Sequence, residues 1–164
     1  MDTLFTPWRR DYLTGARDEG GCVFCEAAAP SPDRDAERLV LHRRASLYVI
    51  LNLYPYTSGH LMIVPNRHLA RLDAATPDER RDLIETAALC ERLLEQTYRP
   101  GGLNLGLNLG RAAGAGIVGH LHLHVVPRWE GDTNFATVIG GTRVVPETPA
   151  ESYARLAPLF AALA

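Results

Sequence analysis

The sequence is short of cysteine, of long apolar runs and of net charge. Three cysteines among 164 residues are too few for the disulfide framework of a small secreted domain. No apolar stretch approaches the roughly 18 residues that span a bilayer, and residues 1–10 lack the basic-then-apolar order of a signal peptide. A formal net charge of −2 supplies no general attraction to nucleic acid or to an anionic membrane. We therefore expect a cytoplasmic protein with neither as a partner.

The composition is that of a single globular domain. Hydrophobic residues make up 46% of the chain and charged residues 22%, which is ordinary for a folded protein with a real core. No repeats or low-complexity segments interrupt the chain. We expect one domain over residues 1–164.

Hydrophobic patterning predicts an α+β fold built on an antiparallel sheet of about five strands. The long helix has a capping sequence at Thr76, runs to about Tyr98 and is stopped by the Pro-Gly-Gly at 100–102. A terminal helix begins at about Pro149. Short links between strands favour antiparallel pairing. The predicted strands are 38–42, 47–53, 60–65, 103–110 and 120–129, with two shorter ones at 134–139 and 142–145.

Three histidines at alternate positions are the most informative pattern in the chain. His120, His122 and His124 are half of its six histidines, and an extended strand would place them on one face, with the intervening leucines on the other. The pattern predicts one wet, reactive face and one core face. A purely structural polar stripe is disfavoured, because a core histidine is normally a single residue with one partner.

Two cysteines at a Cys-x-x-Cys spacing suggest a metal site. Same-face positions along a strand lie about 6.6 Å apart, so three consecutive histidines converge poorly on one ion. A closed tetrahedral zinc site, contributing to folding and not to chemistry, needs two thiolates and two further ligands. A redox dithiol is the alternative, but no thioredoxin-like βαβ pattern accompanies it. Cys90, in the long helix, is interpreted as a buried apolar residue. The predicted zinc ligands are Cys22, Cys25, His68 and His120.

Several segments together resemble the histidine triad (HIT) superfamily of nucleotide hydrolases and transferases. They are 51–68, 107–110 and 120–124, and the resemblance covers about 22–129, leaving 130–164 as a C-terminal extension. The segments 7–13 and 127–135 resemble a narrower bacterial branch, akin to diadenosine tetraphosphate phosphorylases and fragile histidine triad dinucleoside polyphosphate hydrolases. The resemblance implies a homodimer whose two antiparallel sheets join into one.

The resemblance also implies roles for the remaining histidines. His122 is the nucleophile that attacks the α-phosphorus, and a neutral imidazole is competent for this without a separate base. Its other N–H then needs an acceptor, which we expect to be a backbone carbonyl. His124 hydrogen-bonds the α-phosphate or the bridging oxygen, and His60 has a supporting role near the leaving group.

Substrate contacts follow from the same resemblance. Asn52 corresponds to the position that holds the ribose hydroxyls, and Asn108 begins a segment whose amides cradle phosphate. In that segment the chain departs from many family members, which carry Gln-Ser or Gln-Thr before the triad. Phosphate contacts must then come from backbone amides instead of side chains. The loop residues concerned are Gly114, Ala115 and Gly116.

The expected activity is cleavage of dinucleoside polyphosphates through a covalent nucleotidyl-histidine, with water or inorganic phosphate as acceptor. Arg128 either brings a second anion near the histidines or forms a surface ion pair. A nucleoside phosphoramidase would use the same histidines on a P–N bond. A nucleotide-binding module without turnover is the alternative from another class, but binding alone does not require a nucleophile. A triple-histidine metal oxygenase is a further alternative, but the chain lacks the carboxylate ligand that such a site needs at a suitable spacing.

Overall fold

The protein is built on a five-stranded antiparallel sheet in the order β1-β2-β3-β5-β4. The computed structural model describes residues 21–30, 32–133, 137, 139 and 144–163. Within them the strands are β1 (Val40–Arg43), β2 (Leu47–Leu51), β3 (Leu61–Pro65), β4 (Gly102–Leu107) and β5 (Leu123–Arg128). The helices are α1 (Val23–Ala28), α2 (Asp35–Arg38), α3 (Pro77–Tyr98) and α4 (Pro149–Ala161), with 3-10 turns at Pro32–Arg34, Leu72–Ala74 and Arg111–Ala113.

The structure confirms the α+β class and the antiparallel sheet. The first predicted strand starts later than expected, because its first residues close a helical turn that ends at Leu39 with φ 61°. The histidine strand also starts late, at Leu123. The predicted strands at 134–139 and 142–145 fall mostly outside the described residues. That the whole chain is one domain remains a prediction.

The two long helices begin where the sequence predicts. Thr76 accepts the Glu79 N–H, and the Glu79 carboxylate accepts the Thr76 N–H, which satisfies donors that the first turn leaves open. Helix α3 ends when Arg99 adopts a left-handed conformation with φ 47°, directly before the Pro-Gly-Gly. Helix α4 repeats the same capping box with Thr148 and Glu151.

The sheet is covered on both faces, which explains why every residue of β2 and β3 is buried. On one face, α3 and α4 pack over a large core that contains Leu121, Leu123 and Val125. Cys90 is fully buried in this core, as predicted. On the other face, a smaller cluster gathers Phe24 of α1 and Tyr48 of β2 with neighbouring aliphatic side chains. No helix in the described part of the chain is long and apolar enough to cross a membrane.

Candidate functional site

Strand register brings four histidines together on the α1 side of the sheet. Residue 124 of β5 pairs with Met62 of β3, so the His60 ring, just before β3, meets the His124 ring with Nε2 and Nδ1 2.9 Å apart. The ring centroids of His122 and His124 lie 4.9 Å apart. His120 lies at the far end of the row, near the Cys-x-x-Cys segment.

The prediction of a wet histidine face is wrong. His120, His122 and His124 are only 1%, 6% and 8% exposed. Phe24 of α1 covers one end of the row, with its ring centroid 5.0 Å from that of His122. Tyr56, in the turn before β3, covers the other end and lies 5.9 Å from the His124 ring. Neither cover could be placed from the alternation of histidines alone.

Hydrogen bonds fix which nitrogen of His122 carries the proton. Its Nδ1 lies 2.8 Å from the backbone oxygen of His120, which can only accept, so Nδ1–H donates. The neutral ring therefore has its lone pair on Nε2. This is the carbonyl acceptor that the sequence analysis anticipated.

A second chain of hydrogen bonds orients His124. The Tyr56 N–H donates to Nδ1 of His60 at 3.1 Å, so the His60 proton is on Nε2 and is donated to Nδ1 of His124. His124 in turn carries its proton on Nε2, which lies 3.5 Å from the side-chain nitrogen Nδ2 of Asn108. Because that nitrogen is also a donor, it does not accept the His124 N–H. This N–H opens onto a cavity of about 320 Å³, lined among others by Tyr56, Asn104, Asn108 and Arg128.

Burial keeps both rings neutral at physiological pH. It lowers the pKa of His122, against a smaller opposing effect of the hydrogen bond to the His120 carbonyl. It also lowers the pKa of His124, which reaches about 4 with a further contribution from His122. The site therefore offers a nucleophilic lone pair on one ring beside an N–H donor on the next.

Several residues predicted to contact substrate already form hydrogen bonds within the protein. Asn52 stays beside His60, with its amide nitrogen 3.3 Å from Nδ1, while its oxygen accepts the Tyr54 N–H. In the glycine-rich loop, the Gly114 and Ala115 amides donate to carbonyls of the same loop, at 3.0 and 3.3 Å. In this conformation those two amides are engaged within the loop.

Arg128 forms an ion pair, the second of the two alternatives. Its guanidinium forms a bidentate ion pair with Asp132, in which Nε and Nη2 donate to the two carboxylate oxygens at 2.6 and 2.7 Å. A third contact reaches the side-chain oxygen of Asn104 at 2.6 Å. The pair holds the pKa of the Asp132 carboxyl well below its usual range. Sequence reasoning missed Asn104, whose proximity depends on the pairing of β4 with β5. It also missed Asp132, which the turn after β5 brings back to Arg128.

Two cysteines and two histidines converge as predicted, and we call Cys22, Cys25, His68 and His120 the metal cluster. Their ligand atoms all lie within 4.8 Å of one another. Sγ of Cys25 lies 3.1 Å from Nδ1 of His68, and Sγ of Cys22 lies 3.3 Å from Nδ1 of His120. His120 donates its Nε2–H to the Pro65 carbonyl at 2.8 Å, which leaves the Nδ1 lone pair for an ion. Two sulfurs and two imidazole nitrogens at this separation fit tetrahedral zinc.

Comparison with known proteins assigns this fold and its row of histidines to a family of nucleotide-processing enzymes. The HIT domain family model matches residues 34–131, and the chain belongs to the HIT family.

Two sequence relatives and one solved structure are similar to this chain. The chain is 43% identical over 155 residues to "AP-4-A phosphorylase" of Mycobacterium tuberculosis, covering 90% of this chain and 78% of the relative. It is 31% identical over 93 residues to the asymmetrical bis(5'-nucleosyl)-tetraphosphatase of Schizosaccharomyces pombe, covering 57% of this chain and 50% of that protein. A zinc-bound histidine triad family protein from Mycobacterium smegmatis superposes with a TM-score of 0.68 at 29% identity, covering 87% of this chain and 95% of that one.

Proposed function

We propose that this chain cleaves dinucleoside polyphosphates at the α-phosphate through a covalent nucleotidyl-His122 intermediate. The observation that carries the proposal is the fixed His122 ring, whose Nδ1–H is bound to a backbone carbonyl and whose centroid lies 4.9 Å from that of His124. The 43% identical relative named AP-4-A phosphorylase supports this substrate class.

In the first step, Nε2 of His122 attacks the α-phosphorus and the bridging P–O bond breaks. The His122 ring then carries a positive charge, which is stabilised because its Nδ1–H already donates to the His120 carbonyl at 2.8 Å. The departing nucleotide takes the bridging oxygen with its electron pair. The Nε2–H of His124 stabilises the charge that grows on this oxygen.

His60 acts on the reaction through His124. Without the donor at Nε2 of His60, the neutral His124 ring could hold its proton on either nitrogen. The 2.9 Å hydrogen bond selects the form with the proton on the side of the cavity. We therefore assign His60 a positioning role, which refines the supporting role implied by the resemblance.

Substrate contacts are assigned to the residues that border the histidines. Asn108 presents its amide nitrogen 3.5 Å from Nε2 of His124, and both nitrogens are donors, so a phosphate oxygen between them could accept from both. We retain Asn52 for the ribose, because its side-chain oxygen has a second lone pair that a ribose hydroxyl can use while the Tyr54 N–H stays bound. The amides of Gly114, Ala115 and Gly116 are assigned to phosphate, and the first two must give up their contacts within the loop to bind it.

In the second step, an acceptor attacks the α-phosphorus and the P–N bond breaks, which restores neutral His122. We propose inorganic phosphate as the acceptor, in line with the name of the 43% identical relative. With phosphate, diadenosine tetraphosphate gives ADP and ATP, and with water it gives AMP and ATP.

The test is to incubate the protein with diadenosine tetraphosphate, with and without phosphate, and to identify the nucleotides formed. We expect ADP and ATP, at a rate that rises with phosphate. AMP production that phosphate does not change would identify a hydrolase instead. An absence of any cleavage, with nucleotide still bound, would refute the enzymatic proposal.

The metal cluster is proposed as a structural zinc site. The support is its set of two thiolates and two imidazoles within 4.8 Å and the structural similarity to a zinc-bound histidine triad protein. Zinc in such a closed site contributes to folding, because its ligands come from distant parts of the chain. All chemical steps above use side chains outside the metal cluster.

We further propose a homodimer that joins two sheets through β4. This strand pairs with β5 on one side and carries no charged residue between Gly102 and Leu107. Leu105 is 46% exposed there, and an uncharged edge strand is a ready template for another chain. Analytical ultracentrifugation should give a dimer, and Leu105→Lys should shift it to monomer. A monomeric parent protein would refute the pairing.

The cytoplasm stays the predicted compartment, without a nucleic-acid or membrane partner.

A further inference from the structure

Phe24 links the metal cluster to the nucleophile. It lies in α1 between Cys22 and Cys25 and is 4% exposed. Its ring centroid lies 5.0 Å from the ring of His122 and 5.5 Å from the ring of His120, edge-on to the latter. An aromatic side chain between two metal ligands thus packs against both the metal cluster and the reacting imidazole.

Helix α1 is too short to hold Phe24 in place by itself. It has six residues, and isolated helices of that length are unstable in water. The metal cluster would fix its N-terminal turn. Tyr48, fully buried, donates its hydroxyl to the Phe24 carbonyl at 2.7 Å, and Arg43 donates to two carbonyls at the C-terminal end. The position of the Phe24 ring therefore depends on these attachments.

The backbone supplies a second connection from the metal cluster to His122. His120 belongs to the metal cluster, and its carbonyl accepts the Nδ1–H of His122 at 2.8 Å. Two contacts thus orient the His122 ring: one fixes a ring nitrogen, and the other packs against the ring. The first contact comes from His120, which belongs to the metal cluster, and the second comes from Phe24, which lies between two of its cysteines in the sequence.

We propose that Phe24 is a positioning residue for His122 and that metal bound at the cluster sets its position. The proposal takes the role of His122 from the proposed function. It gives the metal an influence on catalysis that involves no contact with substrate. Displacement of a reacting atom by about 1 Å can lower a rate by about a hundredfold, so a loosened His122 ring should be visible in kcat.

The first test compares Phe24→Leu with a matched control. Leucine keeps an apolar side chain in α1 but removes the ring that packs on His122. The control is Phe160→Leu, because Phe160 is also buried, at 1% exposure, and its ring centroid lies 5.8 Å from that of the non-catalytic His42.

We expect Phe24→Leu to retain its zinc and to lower kcat for diadenosine tetraphosphate about ten- to a hundredfold, with KM within about threefold of the parent. Phe160→Leu should keep kcat once unfolded protein is subtracted. A raised KM at unchanged kcat would overturn the proposal, because Phe24 would then contact substrate. Equal losses of kcat in the two variants would overturn it as well.

The second test needs no turnover. Nitrogen-15 NMR of the histidine rings reports which nitrogen of His122 carries the proton. We expect one sharp Nδ1–H form in the zinc-loaded protein, and broadened or doubled His122 signals in Phe24→Leu and in protein stripped of metal. Identical His122 signals in all three samples would overturn the positioning role. If the signals change but the parent protein cleaves nothing, the proposed function fails and the positioning inference stands.

Discussion

Protonation of His124 should destabilise the folded protein in mild acid. Burial lowers the pKa of His124 to about 4, whereas a histidine in the unfolded chain titrates near 6.5. Between these values the unfolded chain binds the proton and the folded protein does not, so the free energy of unfolding falls as the pH falls. The stabilisation is present above the unfolded pKa. From pH 7 to pH 4.5, His124 alone should account for a loss of about 2 kcal/mol.

The assay is urea unfolding of zinc-saturated parent protein and of His124→Gln at pH 7 and pH 4.5. Carboxylates and metal ligands also respond to acid, but they are common to both proteins and cancel in the comparison. The parent should therefore lose about 2 kcal/mol more than the variant over this interval. Equal losses of unfolding free energy in the two proteins would show that His124 is not buried as a neutral ring. They would also refute the hydrogen-bond chain from Tyr56 through His60.

Three further predictions address separate parts of the molecule. His122→Asn should lower the steady-state rate by several orders of magnitude, while calorimetry should show that nucleotide still binds. Activity within about tenfold of the parent would show that His122 is not the nucleophile. Elemental analysis should find one zinc per chain, and Cys22→Ser should lose zinc and lower Tm; metal-free parent protein of unchanged Tm would contradict the structural zinc. Tyr48→Phe removes the hydroxyl that donates to the Phe24 carbonyl and should cost about 1 kcal/mol in urea unfolding, whereas a neutral effect would show that α1 does not depend on it.

The elements that could be predicted are those whose signals are local. The capping residues at Thr76 and Thr148 fix both long helices within a few positions, because a cap acts on its own first turn. The alternation of apolar residues before and after His124 fixes which side chains enter the larger core. The convergence of the four side chains in the metal cluster could be predicted from ligand type and from the Cys-x-x-Cys spacing.

The parts that escaped prediction depend on contacts between distant segments. The burial of the histidine row comes from Phe24 and Tyr56, which lie far from the row in sequence. The contact between His60 and His124 requires a particular register of β3 against β5, and a shift by one residue would point one of them to the opposite face. The contact of Arg128 with Asn104 likewise depends on the pairing of β4 with β5.

The three alternate histidines look equivalent in sequence, and two backbone carbonyls make them different. In His120 the Pro65 carbonyl occupies Nε2, so Nδ1 faces the thiols. In His122 the carbonyl of His120 occupies Nδ1, so Nε2 keeps the lone pair. The same side chain therefore presents opposite nitrogens at positions two residues apart, one suited to an ion and the other to phosphorus. The division of labour within the row is thus set by the backbone that surrounds the rings, while the ring chemistry is the same in both.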